Sequence, residues 1–128
     1  KRLDVQDKFI MIDRQPQEKI PELLACCDAA FVSFMDNELF TKTIPAKLQS
    51  YMACGMPIIA SASGETKRVV EEAECGLCSE IGDVGGLCQI IEKMKEKDLQ
   101  EMAKKSRGYY LDNFEKKMLM DEMEEYLR

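Results

Sequence analysis

Three absences limit what this 128-residue sequence can do. It contains no histidine, one of the usual ligands of a protein zinc site. Its 18 Lys and Arg residues are outnumbered by 24 Asp and Glu, and the net charge of −6 argues against a broad nucleic-acid-binding surface. No apolar run approaches the roughly eighteen residues of a membrane-spanning helix, and the first residues lack the apolar stretch of a signal peptide.

The rest of the composition is typical of one globular domain. Hydrophobic residues make up 45% of the chain and charged residues 33%, and no tract is too polar to fold. The length suits a single domain with its own core and is short for two. We therefore interpret residues 1–128 as one domain.

Six cysteines raise the question of a disulfide or metal site: Cys26, Cys27, Cys54, Cys75, Cys78 and Cys88. One pair has CxxC spacing, but zinc would need a second ligand pair at suitable spacing. Another pair is adjacent in a predicted helix, so its two side chains point in different directions. We interpret all six as small buried thiols in a reducing cytoplasm and predict no metal ligand.

Apolar runs and helical spacing alternate along the chain. Short apolar runs predict strands at residues 8–12, 29–34, 57–61 and, more weakly, 76–79. Apolar residues at helical spacing predict helices at 18–27, 45–54, 64–73 and 83–94, and a helical segment at 98–128. Gly55 is placed to end a helix in a left-handed conformation, Asp83 is a predicted N-cap, and a break is predicted near Gly108.

Strands that alternate with helices predict an α/β fold with a parallel sheet and helices on both of its faces. In such sheets ligands bind outside the carboxyl ends of the strands. The loops at 13–17, 35–46 and 61–66 follow predicted strands. Function is therefore expected in these three loops.

The segment from Thr43 to Ser61 carries the most chemical information. A predicted helix begins at Pro45, and a helix N-terminus offers free N–H groups and a partial positive charge. Lys42 and Lys47 add full positive charges, and together these groups suit a pyrophosphate. A solvated loop with two ordinary surface lysines explains the same residues.

This segment also resembles a known family. Pro45-Ala-Lys-Leu-Gln-Ser-Tyr-Met-Ala-Cys-Gly-Met-Pro-Ile58 is similar to the donor-site region of family-four retaining glycosyltransferases of the GT-B fold, especially those of capsular polysaccharide and O-antigen assembly. The likeness continues, in order, at residues 20–29, 64–65, 72–77 and 106–114. The resemblance implies a Rossmann-like fold and an N-terminally incomplete donor domain that lacks two strands, two helices and the acceptor-binding domain.

The resemblance implies that this chain is the donor-binding part of a bacterial enzyme. The enzyme would transfer a hexosyl or N-acetylhexosaminyl group to a polysaccharide or lipid-linked acceptor, with retention of the anomeric configuration. It implies a nucleotide-sugar donor, with UDP favoured over GDP, and neither a metal nor another cofactor. The partners are then the donor and the missing N-terminal domain, with no nucleic acid. The enzyme would be cytoplasmic, with any peripheral membrane contact made by the missing domain. These residues alone are predicted to be inactive, and none is assigned a catalytic role.

Site residues follow from the same resemblance. Diphosphate and sugar contacts are assigned to Thr43, Lys47, Ser63, Gly64, Glu65 and Thr66. Contacts to ribose and the base are assigned to Ser50, Arg14, Gln15 and Pro16. Many members of the family have glutamates at the positions of Lys42 and Ser50, so the role of these two positions stays open. Glu65 has an alternative role as a charge that favours the N-terminus of its helix.

Other functions also fit parts of the pattern. A receiver-like signalling domain should have an acidic pair after its first strand, whereas only Asp13 follows the first predicted strand here. A nucleotide-sugar epimerase would require histidine and carboxylate groups that are not found. A degenerate, non-catalytic α/β domain remains open because the usual glutamates are missing. Tyr109, Tyr110 and Met118 are predicted to expose apolar area towards the missing domain.

Overall fold

The computed structural model describes residues 5–34 and 44–127, apart from the side chains of residues 116–119, 121 and 122. The described strands are β1 (Ala30–Ser33), β2 (Ile58–Ser61) and β3 (Gly76–Ser79). The described α-helices are α1 (Ile20–Ala25), α2 (Ala46–Ala53), α3 (Gly64–Ala73), α4 (Val84–Met94), α5 (Leu99–Asn113) and α6 (Lys116–Leu127). Two 3-10 turns, Gln6–Lys8 and Gln17–Lys19, precede α1.

The three strands form one parallel sheet in the order β1-β2-β3. Ala30 lies beside Ile58, and Ile58 beside Gly76, so the strands start level with one another. Because parallel strands need a crossover connection, the chain passes through α2 between β1 and β2 and through α3 between β2 and β3. The predicted α/β fold with a parallel sheet is confirmed.

The core lies between one face of the sheet and helices α2 and α3. Side chains that alternate along β1 and β2 point to this face, among them Val32 and Ile58, both buried. Leu48 and Met52 of α2 and Val69 of α3 are wholly buried in the same cluster. Burial of a side chain of this size contributes about 1.5–3 kcal/mol. The strands and the two crossover helices therefore stabilise one another.

Helix α4 covers the other face. It contacts β2 and β3, yet none of its residues, all of which the structure describes, belongs to the cluster formed with α2 and α3. Its predicted N-cap is confirmed, because the Asp83 carboxylate accepts a hydrogen bond from the Gly86 N–H at 2.9 Å. The predicted helices on both faces of the sheet are thus present.

The predicted buried strand at residues 8–12 is wrong. Residues 9–12 have no regular secondary structure, pair with no other strand in the described part of the protein, and leave Ile10 86% and Met11 91% exposed. A strand requires a neighbour whose N–H and C=O groups complete its hydrogen bonds, and β1 pairs only with β2 among the described strands. An apolar run therefore predicts a buried strand correctly only when a neighbouring strand is present to pair with it.

The predicted break near Gly108 is also wrong. Helix α5 continues through Gly108 to Asn113, and the chain leaves the helix at Phe114 and Glu115. One glycine costs a helix interior about 1 kcal/mol relative to alanine, which packing of a long helix can offset. The helical segment predicted for residues 98–128 is therefore two helices that divide six residues later than expected.

Tyr109 and Tyr110 are both half-buried and pack against the core, and the Met118 side chain lies outside the described part. The predicted exposed apolar area at these three residues therefore stays a prediction. Exposed apolar side chains occur further along, on α6, where Met123 is 60% and Tyr126 90% exposed. None of the helices that the structure describes is long and apolar enough to span a membrane.

The cysteines are only partly as predicted. All six are free thiols, but only Cys75 is buried and only Cys78 is half-buried. The other four are exposed at the ends or outer faces of helices: Cys26, Cys27, Cys54 and Cys88. A cysteine side chain is small enough to be buried, but its size does not require burial. These four cysteines are exposed because they do not lie on the side of their helices that faces the sheet.

Gly76 offers a test of the sheet packing. A Cβ added there would overlap the carbonyl of Ile58, so Gly76→Ala should force β2 and β3 apart. We expect a loss of at least about 3 kcal/mol in the free energy of unfolding, measured by urea denaturation followed by circular dichroism. In the matched variant Gly108→Ala the new Cβ meets no atom within 4 Å, and a gain of about 0.5–1 kcal/mol is expected. Equal stabilities of the two variants would contradict the described β2–β3 approach.

Candidate functional site

The strands end level at the carboxyl edge of the sheet. Ser33, Ser61 and Ser79 occupy the last position of β1, β2 and β3 and lie beside one another. The backbone ladder continues one residue further, since the Phe34 N–H donates to the Ser61 carbonyl and the Ala62 N–H to the Ser79 carbonyl, each at 3.1 Å. The segments that follow β1 and β2 therefore leave the sheet at the same edge.

Two helices begin at this edge without a side-chain cap. Pro45 precedes α2, and Ser63 precedes α3, and neither N-cap side chain accepts a hydrogen bond from its helix. By contrast, Asp83 caps α4, and Asp98 caps α5 by accepting from the Glu101 N–H at 3.1 Å. Uncapped first-turn N–H groups carry a partial positive charge and are a suitable site for an anion.

A cleft of about 460 Å³ lies between the end of β1 and the start of α2. Its lining residues are Phe31, Val32, Ser33, Phe34, Pro45, Ala46 and Lys47. Lys47 is exposed in the first turn of α2 and adds a full positive charge to the helix terminus. The structure thus places Lys47 at the edge where the ligand was expected.

Ser50 follows Lys47 by three residues on α2, so the two side chains lie on adjacent positions of the helix surface. Ser50 is exposed and lines a smaller cleft of about 220 Å³ together with Gln49 and Tyr110. Its hydroxyl can donate and accept hydrogen bonds, as ribose recognition requires. The structure therefore brings Lys47 and Ser50 to one side of one helix.

The turn at the start of α3 contains the other four predicted residues. Gly64 has a φ of +65°, a left-handed conformation that only glycine adopts readily. Glu65 is in the first helical turn with a partly exposed carboxylate. Thr66 is wholly buried, and its hydroxyl has no hydrogen-bond partner in the described structure. A ligand at this turn would meet the backbone of Ser63 and Gly64 and the side chain of Glu65 before that of Thr66.

The residues predicted for the base lie in an exposed loop before α1. Arg14 and Pro16 are exposed, and the half-buried Gln15 donates from its side-chain amide to the Asp13 carbonyl at 3.0 Å. The exposed segment at residues 9–12 precedes this loop. Thr43 and Lys42 lie outside the described residues, so their predicted roles stay predictions.

Helix α5 holds α2 in place from behind. The Arg107 guanidinium donates to the Ala53 carbonyl at 2.5 Å, at the C-terminus of α2. A cation at this end complements the negative end of the helix dipole. The same guanidinium lies 5.6 Å from the centre of the Tyr110 ring, within cation–π distance. The orientation of α2, and with it Lys47, therefore depends on a residue 60 positions along the chain.

Sequence reasoning missed Arg68. Its guanidinium binds both carboxylate oxygens of Glu65, with Nη2 to Oε2 at 2.8 Å and Nε to Oε1 at 3.1 Å. It also donates to Glu72 at 2.9 Å. The spacing of Glu65, Arg68 and Glu72, three and four residues apart, is a recognisable signal for ion pairs on one helix face.

Hydrogen bonds and charge attraction from Arg68 lower the pKa of Glu65, and burial only partly opposes them. Hydrogen bonding to Glu65 in turn raises the pKa of Arg68. Glu65 is therefore an anion and Arg68 a cation throughout the neutral range. Within the part of the chain that the structure describes, no three His, Cys, Asp or Glu side chains are grouped closely enough to bind a metal ion.

Comparison with known proteins agrees with this geometry. Residues 1–110 match the protein family described as glycosyl transferases group 1. The chain belongs to this family. Its parallel sheet flanked by helices is the Rossmann-like arrangement expected of a GT-B domain, and glycosyl transfer is the general activity of the family.

One relative matches over most of the chain. The N-acetyl-alpha-D-glucosaminyl L-malate synthase of Bacillus anthracis is 26% identical over 126 residues, which is 97% of this chain. The chain spans only 31% of the length of that relative. No solved structure matches the chain.

The ion pair between Arg68 and Glu65 leads to a prediction about the pKa of Glu65 and the pH dependence of stability. A carboxyl group with a lowered pKa contributes stability above its ordinary pKa of 4.5, and that stability is lost as the pH falls through the lowered value. In Arg68→Gln the pKa of Glu65 should rise towards 4.5, measured by ¹³C NMR titration of labelled glutamate. Lys67→Gln removes the neighbouring ion pair to Glu80 (2.7 Å) instead, and should leave the pKa of Glu65 unchanged. An unchanged Glu65 titration in Arg68→Gln would contradict the pairing.

Proposed function

We propose that this chain is the donor-binding part of a retaining glycosyltransferase and that it binds the diphosphate of a nucleotide-sugar at the carboxyl edge of its sheet. The observation that carries the proposal is the pair of helices α2 and α3, which begin at this edge without side-chain caps. A diphosphate bears at least two negative charges and several acceptor oxygens. Two free helix N-termini and the Lys47 ammonium offer N–H donors and positive charge in return.

The proposed contacts follow from the positions of the side chains. Lys47 binds a diphosphate oxygen, and the backbone of Ser63 and Gly64 donates N–H groups to the same anion. Glu65 accepts hydrogen bonds from the sugar, and Thr66 contributes through its backbone because its side chain is buried. Thr43 is proposed as a further contact on the resemblance alone.

The nucleoside is assigned to the residues around Ser50. Its exposed hydroxyl lies one turn from Lys47, a spacing that suits a ribose next to a diphosphate. Arg14, Gln15 and Pro16 are proposed to border the base through backbone groups, since the Gln15 amide is already bonded within its own loop. Ser50 in place of the usual glutamate would bind ribose with a neutral hydroxyl rather than a carboxylate.

The leaving diphosphate is proposed to be stabilised by these cations and N–H groups without a metal ion. Preorganised donors aimed at a developing charge are a general source of catalytic power. No metal or other cofactor is therefore part of the proposal. Lys47 and the two helix termini act as electrostatic groups, and none of the residues is proposed as a nucleophile or general base.

The donor sugar is proposed to be a hexose or an N-acetylhexosamine, and the name of the relative, N-acetyl-alpha-D-glucosaminyl L-malate synthase, supports the second. UDP is proposed over GDP on the resemblance to polysaccharide enzymes, with a polysaccharide or lipid-linked acceptor in capsule or lipopolysaccharide assembly. The acceptor is proposed to bind a further domain of the same polypeptide. Residues 1–128 alone would then be inactive, and the enzyme would work in the cytoplasm, with any membrane contact made by that further domain.

Titration of the full-length protein with nucleoside diphosphates tests the proposal. We expect UDP or GDP to bind in calorimetry and Lys47→Ala to weaken that binding about tenfold, because a charge-assisted contact is lost. The matched control is Lys97→Ala. Lys97 is also exposed, but it lies beside Gly76, the first residue of β3, at the opposite edge of the sheet. Its loss should leave the affinity unchanged.

The outcomes separate the alternatives. Equal affinities of the Lys47→Ala and Lys97→Ala proteins for the diphosphate would contradict the proposed site. Failure of the full-length protein to bind any nucleoside diphosphate or its sugar would favour the degenerate, non-catalytic domain. Transfer assays with malate, as in the name of the relative, beside lipid-linked acceptors would identify the acceptor class.

A further inference from the structure

Four side chains form a continuous chain of polar contacts across α3 and α5. Arg68 binds the Glu65 carboxylate through two nitrogens and the Glu72 carboxylate through a third. The same Glu72 oxygen accepts the Tyr109 hydroxyl of α5 at 2.5 Å. The order is therefore Glu65, Arg68, Glu72, Tyr109, and it runs from the first turn of α3 to a residue 44 positions further along the chain.

The far end of this polar chain is fixed by the core. Tyr109 packs against the core cluster, with its ring 5.6 Å from that of Phe114 in an edge-to-face arrangement. Burial and then the hydrogen bond to Glu72 raise the pKa of Tyr109, so the phenol keeps its proton and stays a donor. A half-buried tyrosine has two stiff side-chain torsions, so its hydroxyl is held at a defined position. Because Glu72 is bonded to both Tyr109 and Arg68, the position of this hydroxyl restricts the position of the Arg68 guanidinium.

Stability is a weak explanation for these contacts. The side chains of Arg68 and Glu72 are 49% and 55% exposed, and ion pairs this exposed contribute little to the free energy of unfolding. Orientation is a better explanation, because the planar guanidinium binds both oxygens of Glu65 at once. A fork of this kind restricts the rotation of a carboxylate as well as its position.

The near end of the polar chain keeps room for a ligand. The Glu65 side chain is 39% exposed. A carboxylate has about four acceptor positions. Arg68 donates once to Oε1, at 3.1 Å, and twice to Oε2, at 3.2 and 2.8 Å, which leaves roughly one acceptor position free on Oε1. A free acceptor on a fixed carboxylate suits a hydroxyl group of a sugar ring. Glu65 also lies in the first turn of α3, beside the backbone proposed to hold the diphosphate.

We propose that Arg68 is a positioning residue for donor recognition: it orients the Glu65 carboxylate to accept a hydrogen bond from a hydroxyl of the donor sugar, and Tyr109 orients Arg68 through Glu72. The inference rests on the proposed function, since it requires the nucleotide-sugar to bind at the start of α3. It adds that recognition of the sugar, as distinct from the diphosphate, depends on a contact between α3 and α5.

The test compares two ligands on the full-length protein. Calorimetry gives the affinity for the nucleotide-sugar and for the matching free nucleoside diphosphate. The ratio of the first affinity to the second measures how much the sugar contributes to binding. In Arg68→Gln we expect that ratio to fall about tenfold while the diphosphate affinity stays within about twofold. Tyr109→Phe should lower the ratio less, by about threefold, since Arg68 keeps its fork. Lys67→Gln, which removes an ion pair of similar exposure on the same helix, should leave the ratio unchanged.

A double variant tests whether Arg68 acts through Glu65. If it does, Arg68→Gln should have no further effect on the ratio once Glu65→Gln is present, because the effects of substitutions at two coupled residues do not add. Additive losses would overturn the inference. Arg68→Lys keeps the charge but loses the fork, so it should lower the ratio nearly as much as Arg68→Gln. Full recovery with lysine would show that charge alone is needed and would also overturn it.

Further outcomes separate this inference from the proposed function. An unchanged or increased ratio in Arg68→Gln, with normal diphosphate binding, would overturn the inference and leave the proposed function in place. Equal weakening of both ligands together with a lower Tm would show a purely structural role and would overturn it too. Failure of the unaltered protein to bind any nucleoside diphosphate or its sugar would overturn the proposed function and this inference with it.

Discussion

The level, parallel pairing of β1, β2 and β3 is the constraint on which the other features depend. Ala30, Ile58 and Gly76 begin the strands side by side, and Ser33, Ser61 and Ser79 end them side by side. Gly76 permits this pairing because its missing Cβ leaves space for the Ile58 backbone. Since the strands end level, the helices that follow β1 and β2 begin at one edge, which is the edge proposed to bind the diphosphate. A shift of one residue between β1 and β2 would separate these helix termini and move their core side chains to the wrong face.

Helix α5 contacts both of the helices that form the proposed donor site. Arg107 binds the C-terminus of α2, and Tyr109 reaches Arg68 on α3 through Glu72. The two helices that form the proposed donor site are thus each tied to the same third helix. Lys105 adds an ion pair to Glu74, the left-handed residue that ends α3. Packing of α5 therefore decides how α2 and α3 are oriented relative to each other, and so where their N-termini lie.

The proposed site relies on backbone groups and fixed charges more than on reactive side chains. Such a site suits a reaction in which a charged leaving group must be stabilised, and membership of the glycosyl transferases group 1 family is consistent with it. A site of this kind needs no histidine, and the chain has none. Selectivity for the sugar is proposed to depend on Glu65, whose carboxylate is held by the Arg68 guanidinium.

The sequence by itself determined the local elements and the class of fold. Alternating apolar runs and helical spacing are local properties, so β1 to β3, α2 to α4 and the Asp83 cap were predictable, as was the turn at residues 61–66 after β2. Only the tertiary structure decided which apolar residues are buried. Residues 9–12 have the composition of a buried strand and are exposed, because burial requires a neighbouring strand that local sequence cannot supply. The link from Tyr109 to Arg68 was equally out of reach, since residues so far apart in the chain meet only when α3 and α5 pack on the same core.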